Sequence, residues 1–88
     1  MMPADTNDET LALQALVWIL ADSPRAMRLL DTTGLDPAAL RESASAPATL
    51  VALLGFLEAH EPDLIACAEA IGTTPTALVC ARQRLETV

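Results

Sequence analysis

The prolines and glycines of this chain recur in a fixed register. Pro24, Gly34 and Pro37 return as Pro62, Gly72 and Pro75, each shifted by 38 residues, and the same shift lays Leu16 on Leu54, Trp18 on Phe56 and Leu40 on Leu78. Proline fixes its own φ and has no amide hydrogen, so it suits the first turn of a helix and disrupts the interior. Glycine reaches the left-handed conformation in which helices end. Repeated punctuation of this kind dictates where helices start and stop. It predicts helices over residues 8–22, 24–33, 37–44, 47–60, 62–71 and 75–86. At Ser23-Pro24, Asp36-Pro37 and Thr74-Pro75 a side-chain acceptor precedes the proline, which is a strong helix-start signal. Ala46-Pro47 and Glu61-Pro62 are weaker versions, with Ser45 or Glu61 available to the free amides.

Composition supports helices throughout. The 88 residues include 17 Ala and 15 Leu, with one Trp, one Phe and no Tyr, and Ala and Leu are among the best helix formers, whereas strands favour β-branched and aromatic runs. The expected fold is all-α: a compact orthogonal bundle of about six short helices built from two pseudo-repeated three-helix units, 9–46 and 47–84. Residues 1–7 are expected to form a disordered N-terminal tail and 8–88 a single domain. The runs LALQALVWILA (11–21) and ATLVALLGFLEA (48–59) are apolar on nearly every side, so each should be covered by neighbours. They are expected to form a central pair, with Leu13, Leu16, Trp18, Val51, Leu54 and Phe56 at the shared centre and Gly55 allowing a close crossing.

The charge narrows the function classes. Twelve acidic residues against five arginines and no lysine give a net charge of −7, a field that repels phosphate backbones and anionic membrane surfaces. The segment Leu11–Ala21 is too short to span a bilayer, and Asp5, Asp8 and Glu9 stand where a secretory signal needs positive charge. Cys67 and Cys80 have apolar neighbours, so they read as packing residues of a reduced, cytoplasmic protein. Chemistry is sparse. His60 is the sole histidine and sits at a predicted helix end, Trp18 lies within an apolar helix, and neither a phosphate-binding glycine loop nor a nucleophile elbow occurs. No catalytic, metal or cofactor residues are assigned, and the expectation is a non-enzyme.

One constellation has the spacing of a helix-turn-helix. In residues 64–85, Ala68 is followed by Gly72 and then by Leu78: a small residue for close approach, a glycine for the turn and an apolar plug for the angle. Helix 75–86 would then offer Thr76, Val79, Cys80 and Gln83 outward, with Leu78, Ala81 and Leu85 facing in and Arg82 and Arg84 near phosphate. The same spacing occurs earlier at Leu30, Gly34 and Leu40, and Asp63, Glu69 and Glu86 lie nearby. A helical corner that repeats with the architecture explains the pattern more simply than DNA recognition does.

The run TGLDPAALRE at 33–42, the following Pro47, LLGFL at 53–57 and the turn from Glu61 to Leu64 resemble a family of short alphaproteobacterial helical proteins classed as a domain of unknown function. The resemblance covers Leu11 to Leu85, and TGLDP followed by Leu40-Arg41 is its most specific element. It implies a cytoplasmic bacterial setting and brings no catalytic residue or ligand.

The function expected from the residues is that of an acidic protein-interaction or adaptor module, with a protein partner or a second copy as its target. Thr76, Val79, Cys80 and Gln83 are its candidate surface. The alternative is a DNA-binding protein that reads through residues 75–86. Differences between the two copies, chiefly Arg41, Glu42 and Ser45 against Val79, Cys80 and Gln83, are where function is to be sought.

Overall fold

The computed structural model describes residues 4–44 and 46–87. The described residues form six helices: α1 (Ala4–Leu20), α2 (Ser23–Thr33), α3 (Pro37–Glu42), α4 (Pro47–Glu58), α5 (Glu61–Ile71) and α6 (Pro75–Glu86). The all-α expectation holds. The backbone of α1 begins at Ala4 rather than at residue 8, and residues 1–3 of the expected tail lie outside the described residues.

Most boundaries have a local cause. The Asp36 carboxylate accepts the Ala39 amide at 2.7 Å and the Thr74 hydroxyl accepts the Ala77 amide at 3.1 Å. Each satisfies an amide that the first turn cannot pair internally. For α2 the capping residue is Asp22, whose carboxylate accepts the Arg25 amide at 3.1 Å, and Ser23 is instead the first helical residue. An extended Asp22 brings a carboxylate to the same amides one position earlier, and it also complements the positive end of the helix dipole. Ala46 and His60 precede α4 and α5 without a side-chain cap, and Ser45 lies outside the described residues. Gly34 and Gly72 stop α2 and α5 at φ +74° and +77°, a left-handed conformation that costs any other residue a Cβ clash.

Helix limits follow the spacing of the prolines, but the packing does not. α2 and α5 match end for end under the 38-residue shift, as do the last residues of α1 and α4 and the first residues of α3 and α6. α6 nevertheless lies broadly against both α1 and α4, while α3 makes no broad contact with any helix. The expectation of an α1–α4 pair with the short helices around it is therefore corrected to a centre of three, α1, α4 and α6. The cause is length: α6 runs 12 residues and buries Leu78, Ala81 and Leu85, whereas α3 stops after six and buries Leu40 alone.

The largest fully enclosed side chains are Ile19, Leu29, Leu50, Leu53, Leu54, Leu57, Leu78 and Cys67. Of the expected central residues, Leu16, Leu54 and Phe56 are buried, and Leu13, Trp18 and Val51 pack at the edge. α4 is covered as its composition demands. α1 is not: Val17 is 69% and Leu20 44% exposed. Gly55 supports no close crossing, because no atom stands within 4 Å of where its Cβ would be. Among the described residues no single helix is long and apolar enough to cross a membrane.

Candidate functional site

The uncovered side of α1 borders a cleft. Leu16 and Leu20 of α1, Ala26 and Leu30 of α2, and Pro37, Leu40, Arg41 and Ala44 on and just after α3 enclose about 390 Å³. Its floor is buried, since Leu16 and Leu40 are nearly inaccessible, and its one charged lining residue is Arg41 in the last turn of α3. The cleft exists because α3 ends early. At its C-terminal end the Ser43 hydroxyl donates to the Ala39 carbonyl at 2.8 Å, and the Thr49 hydroxyl donates to Ser43 at 3.0 Å. The second of these bonds ties the end of α3 to the first turn of α4.

The matching residues of the second half are engaged differently. Under the 38-residue shift Leu20 matches Glu58, Ala44 matches Arg82 and Arg41 matches Val79. There the Arg82 guanidinium donates to the Glu58 carboxylate and also pairs with Glu86, and Leu54, Leu64, Ala68 and Leu78, the matches of Leu16, Ala26, Leu30 and Leu40, are buried. In the first half the ion pair is replaced by Leu20 and Ala44, which cannot bond to each other. An apolar mouth therefore stays open, with a cation at its lip. Leu20 and Val17 are one turn apart on α1, and Val17 with Gln14 lines a shallower depression that reaches Ile71 at the end of α5. Apolar surface thus continues from the cleft over the exposed ridge of α1.

The α6 residues expected to form a partner surface share one side of that helix. Thr76 and Gln83 stand exposed, Cys80 is half-buried and Val79 packs against the edge of the core. The corner before them has helix-turn-helix geometry, with α5 and α6 meeting at a bend of 99°, inside the range of that motif. Its cations are engaged within the chain. Beyond the Arg82 pairs, the Arg84 guanidinium donates to both oxygens of the buried Asp8 carboxylate, at 2.7 and 2.8 Å. These hydrogen bonds hold both guanidinium groups more firmly protonated than a free arginine, Glu58 being the main partner for Arg82 and Asp8 for Arg84.

The remaining candidates resolve into structural roles. Burial pushes the Cys67 thiol up to about 11, partly countered by the Arg25 charge, so the nucleophilic thiolate is scarce at neutral pH. Both cysteines are free. His60 precedes α5 at an exposed position, its Nδ1 3.0 Å from Asp63, whose carboxylate also lies 3.3 Å from Arg28. Trp18 carries the Arg25 guanidinium 3.6 Å above its ring, a cation–π contact reinforced by an Arg25 hydrogen bond to the Trp18 carbonyl at 2.6 Å. No cluster of three metal-ligating side chains occurs among the described residues.

Over residues 5–87 the sequence matches the family described as "Protein of unknown function (DUF3572)". The chain belongs to this family. No curated protein and no solved structure matches it. The family carries no assigned activity, so the cleft and the α1 ridge are assigned on geometry alone. The exposed ridge of α1 was not foreseen, because a helix apolar all round was expected to be covered all round; the contrast of Arg41 with Val79 pointed toward the cleft, and that of Leu20 with Glu58 is its further sign.

Proposed function

We propose that the protein is a small interaction module without catalytic activity, an adaptor that docks a partner protein on the side formed by α1, α2 and α3. The observation that carries this reading is the open apolar cleft continuous with the exposed Val17–Leu20 ridge. A chain with few large side chains in excess of its core gains nothing in stability from exposing two of them side by side, and exposed apolar surface of this kind characterises docking sites. The reading places the protein in a reducing compartment, which its two free thiols suit, and treats the recurring helix limits as the trace of a duplicated unit whose two copies have diverged in the closure of their corners.

Tagged protein recovered from its native cytoplasm should retain a partner that is lost on Leu20→Asp and kept on the double change Thr76→Asp, Gln83→Asp. Equal recovery with all three proteins would refute the cleft as the docking site. Loss with the α6 pair alone would move the site to the surface first expected. If the partner is a second copy, sedimentation will show a concentration-dependent dimer that Leu20→Asp abolishes.

The 99° corner between α5 and α6 favours DNA reading as a second possibility. With Arg82 and Arg84 bound to Glu58, Glu86 and Asp8, phosphate contact would require these pairs to open first. Fluorescence anisotropy with duplex DNA at low salt tests it, and affinity absent or equal for all sequences removes it.

A further inference from the structure

Resting on the docking reading above, we infer that the cleft selects an amphipathic helix of neutral or basic overall charge that carries one carboxylate beside its apolar stripe, and that Arg41 is the residue that reads this carboxylate. Four of the five arginines are engaged within the chain: Arg25 with Trp18, Arg28 with Asp63, Arg82 with Glu58 and Glu86, and Arg84 with Asp8. Among the described residues Arg41 makes no hydrogen bond or ion pair. In a protein of net charge −7 this arginine, unpaired among the described residues, stands at the lip of an apolar cleft.

The second half offers a comparison under the 38-residue shift. There the carboxylate of Glu58, at the end of α4, pairs with an arginine of α6. The open corner has its own arginine, shifted to position 41, and a leucine where the carboxylate would be. A carboxylate from outside restores the pair, and apolar side chains beside it occupy the cleft over Leu16, Leu30 and Leu40. A volume of about 390 Å³ accepts two or three leucine-sized side chains rather than a whole helix, so the helix axis rests on the rim against Leu20. The remaining surface of the domain is acidic, so a uniformly acidic partner would be repelled at longer range. A single carboxylate in a neutral or basic helix meets both conditions.

The test uses three labelled peptides of about 15 residues, long enough to be helical once docked. They share one Leu stripe and one basic outer face and carry Glu, Gln or Lys at a single position flanking the stripe. Binding to the full chain is measured by fluorescence anisotropy at low and at moderate salt. The Glu peptide should bind about fivefold more tightly than the Gln peptide. Arg41→Glu should reverse the order so that the Lys peptide binds best, a rescue that a purely structural role for Arg41 cannot produce. Leu20→Asp should abolish all binding while leaving the circular dichroism spectrum unchanged. If all three peptides bind equally and Leu20→Asp still abolishes binding, the docking reading stands and the role of Arg41 falls. If no peptide binds, the proposal falls; if decanoate binds in its place, the cleft is a site for a single-chain amphiphile.

Discussion

At the scale of single residues, two positions make sharp predictions. Gly55 lies within α4, with helical backbone and open space where a Cβ would stand, so its only effect is to loosen the helix. Gly55→Ala should therefore stabilise the protein by about 0.5–1 kcal/mol, measured as a rise in the urea midpoint with an unchanged slope. A fall would mean that the added methyl meets a neighbour. Cys67 offers a pH signature. Its thiol is held protonated to about 11 instead of 9.0, so between these values the native state retains a proton that the unfolded chain has released. The contribution of Cys67 to stability should be constant below about pH 9 and fall as pH rises toward about 11. Because the chain has neither lysine nor tyrosine, little else titrates in that window, and Cys67→Ala should flatten the slope. Thiol labelling at mildly alkaline pH should reach the half-buried Cys80 well before Cys67.

At the scale of elements, the caps and stops were legible because their causes are local. Asp36, Thr74, Gly34 and Gly72 each act within a few residues of themselves, and all four do in the structure what the sequence implies. The displacement of the α2 cap from Ser23 to Asp22 is a choice between adjacent acceptors, which the spacing alone does not resolve. What the sequence could not convey is which faces meet. A helix such as α1, apolar at almost every position, has no polar stripe to mark its outside, so neither the exposure of Val17 and Leu20 nor the insertion of α6 between α1 and α4 could be read from periodicity. The long-range pair from Asp8 to Arg84 was hidden for another reason: it joins residues 76 apart, and no local rule links them. Asp8 is 2% exposed, so the pair ties α1 to the end of α6 from a protected position. Asp8→Ala should cost about 1–2 kcal/mol through the lost charge-assisted hydrogen bonds, seen as a lower thermal midpoint. Glu69→Ala, on an exposed face without an ion pair, should leave that midpoint nearly unchanged.

At the scale of the whole molecule, the two halves share their punctuation but not their closure. In one half a long last helix enters the core and its arginine pairs with carboxylates, and in the other the last helix stops short beside the cleft. The fold class was legible from Ala, Leu and the prolines, whereas the sequence held the contrasts of Leu20 with Glu58 and Arg41 with Val79 but not the cleft they border, which depends on how the helices are placed. Leu78, fully buried where α6 meets α1 and α4, is the residue on which this closure turns. Leu78→Ala should destabilise the domain by about 3 kcal/mol, a large share of the stability of a chain this size, and denaturant unfolding should show the loss. The placement of α6 also sets an order of events during synthesis. Segments that emerge from the ribosome first, α1 through α5, hold most of the apolar residues but lack the helix that fits between α1 and α4. Without residues 75–86 the segment α1–α5 lacks Leu78, Ala81 and Leu85, which complete the core, so the native fold forms as one unit once α6 is available.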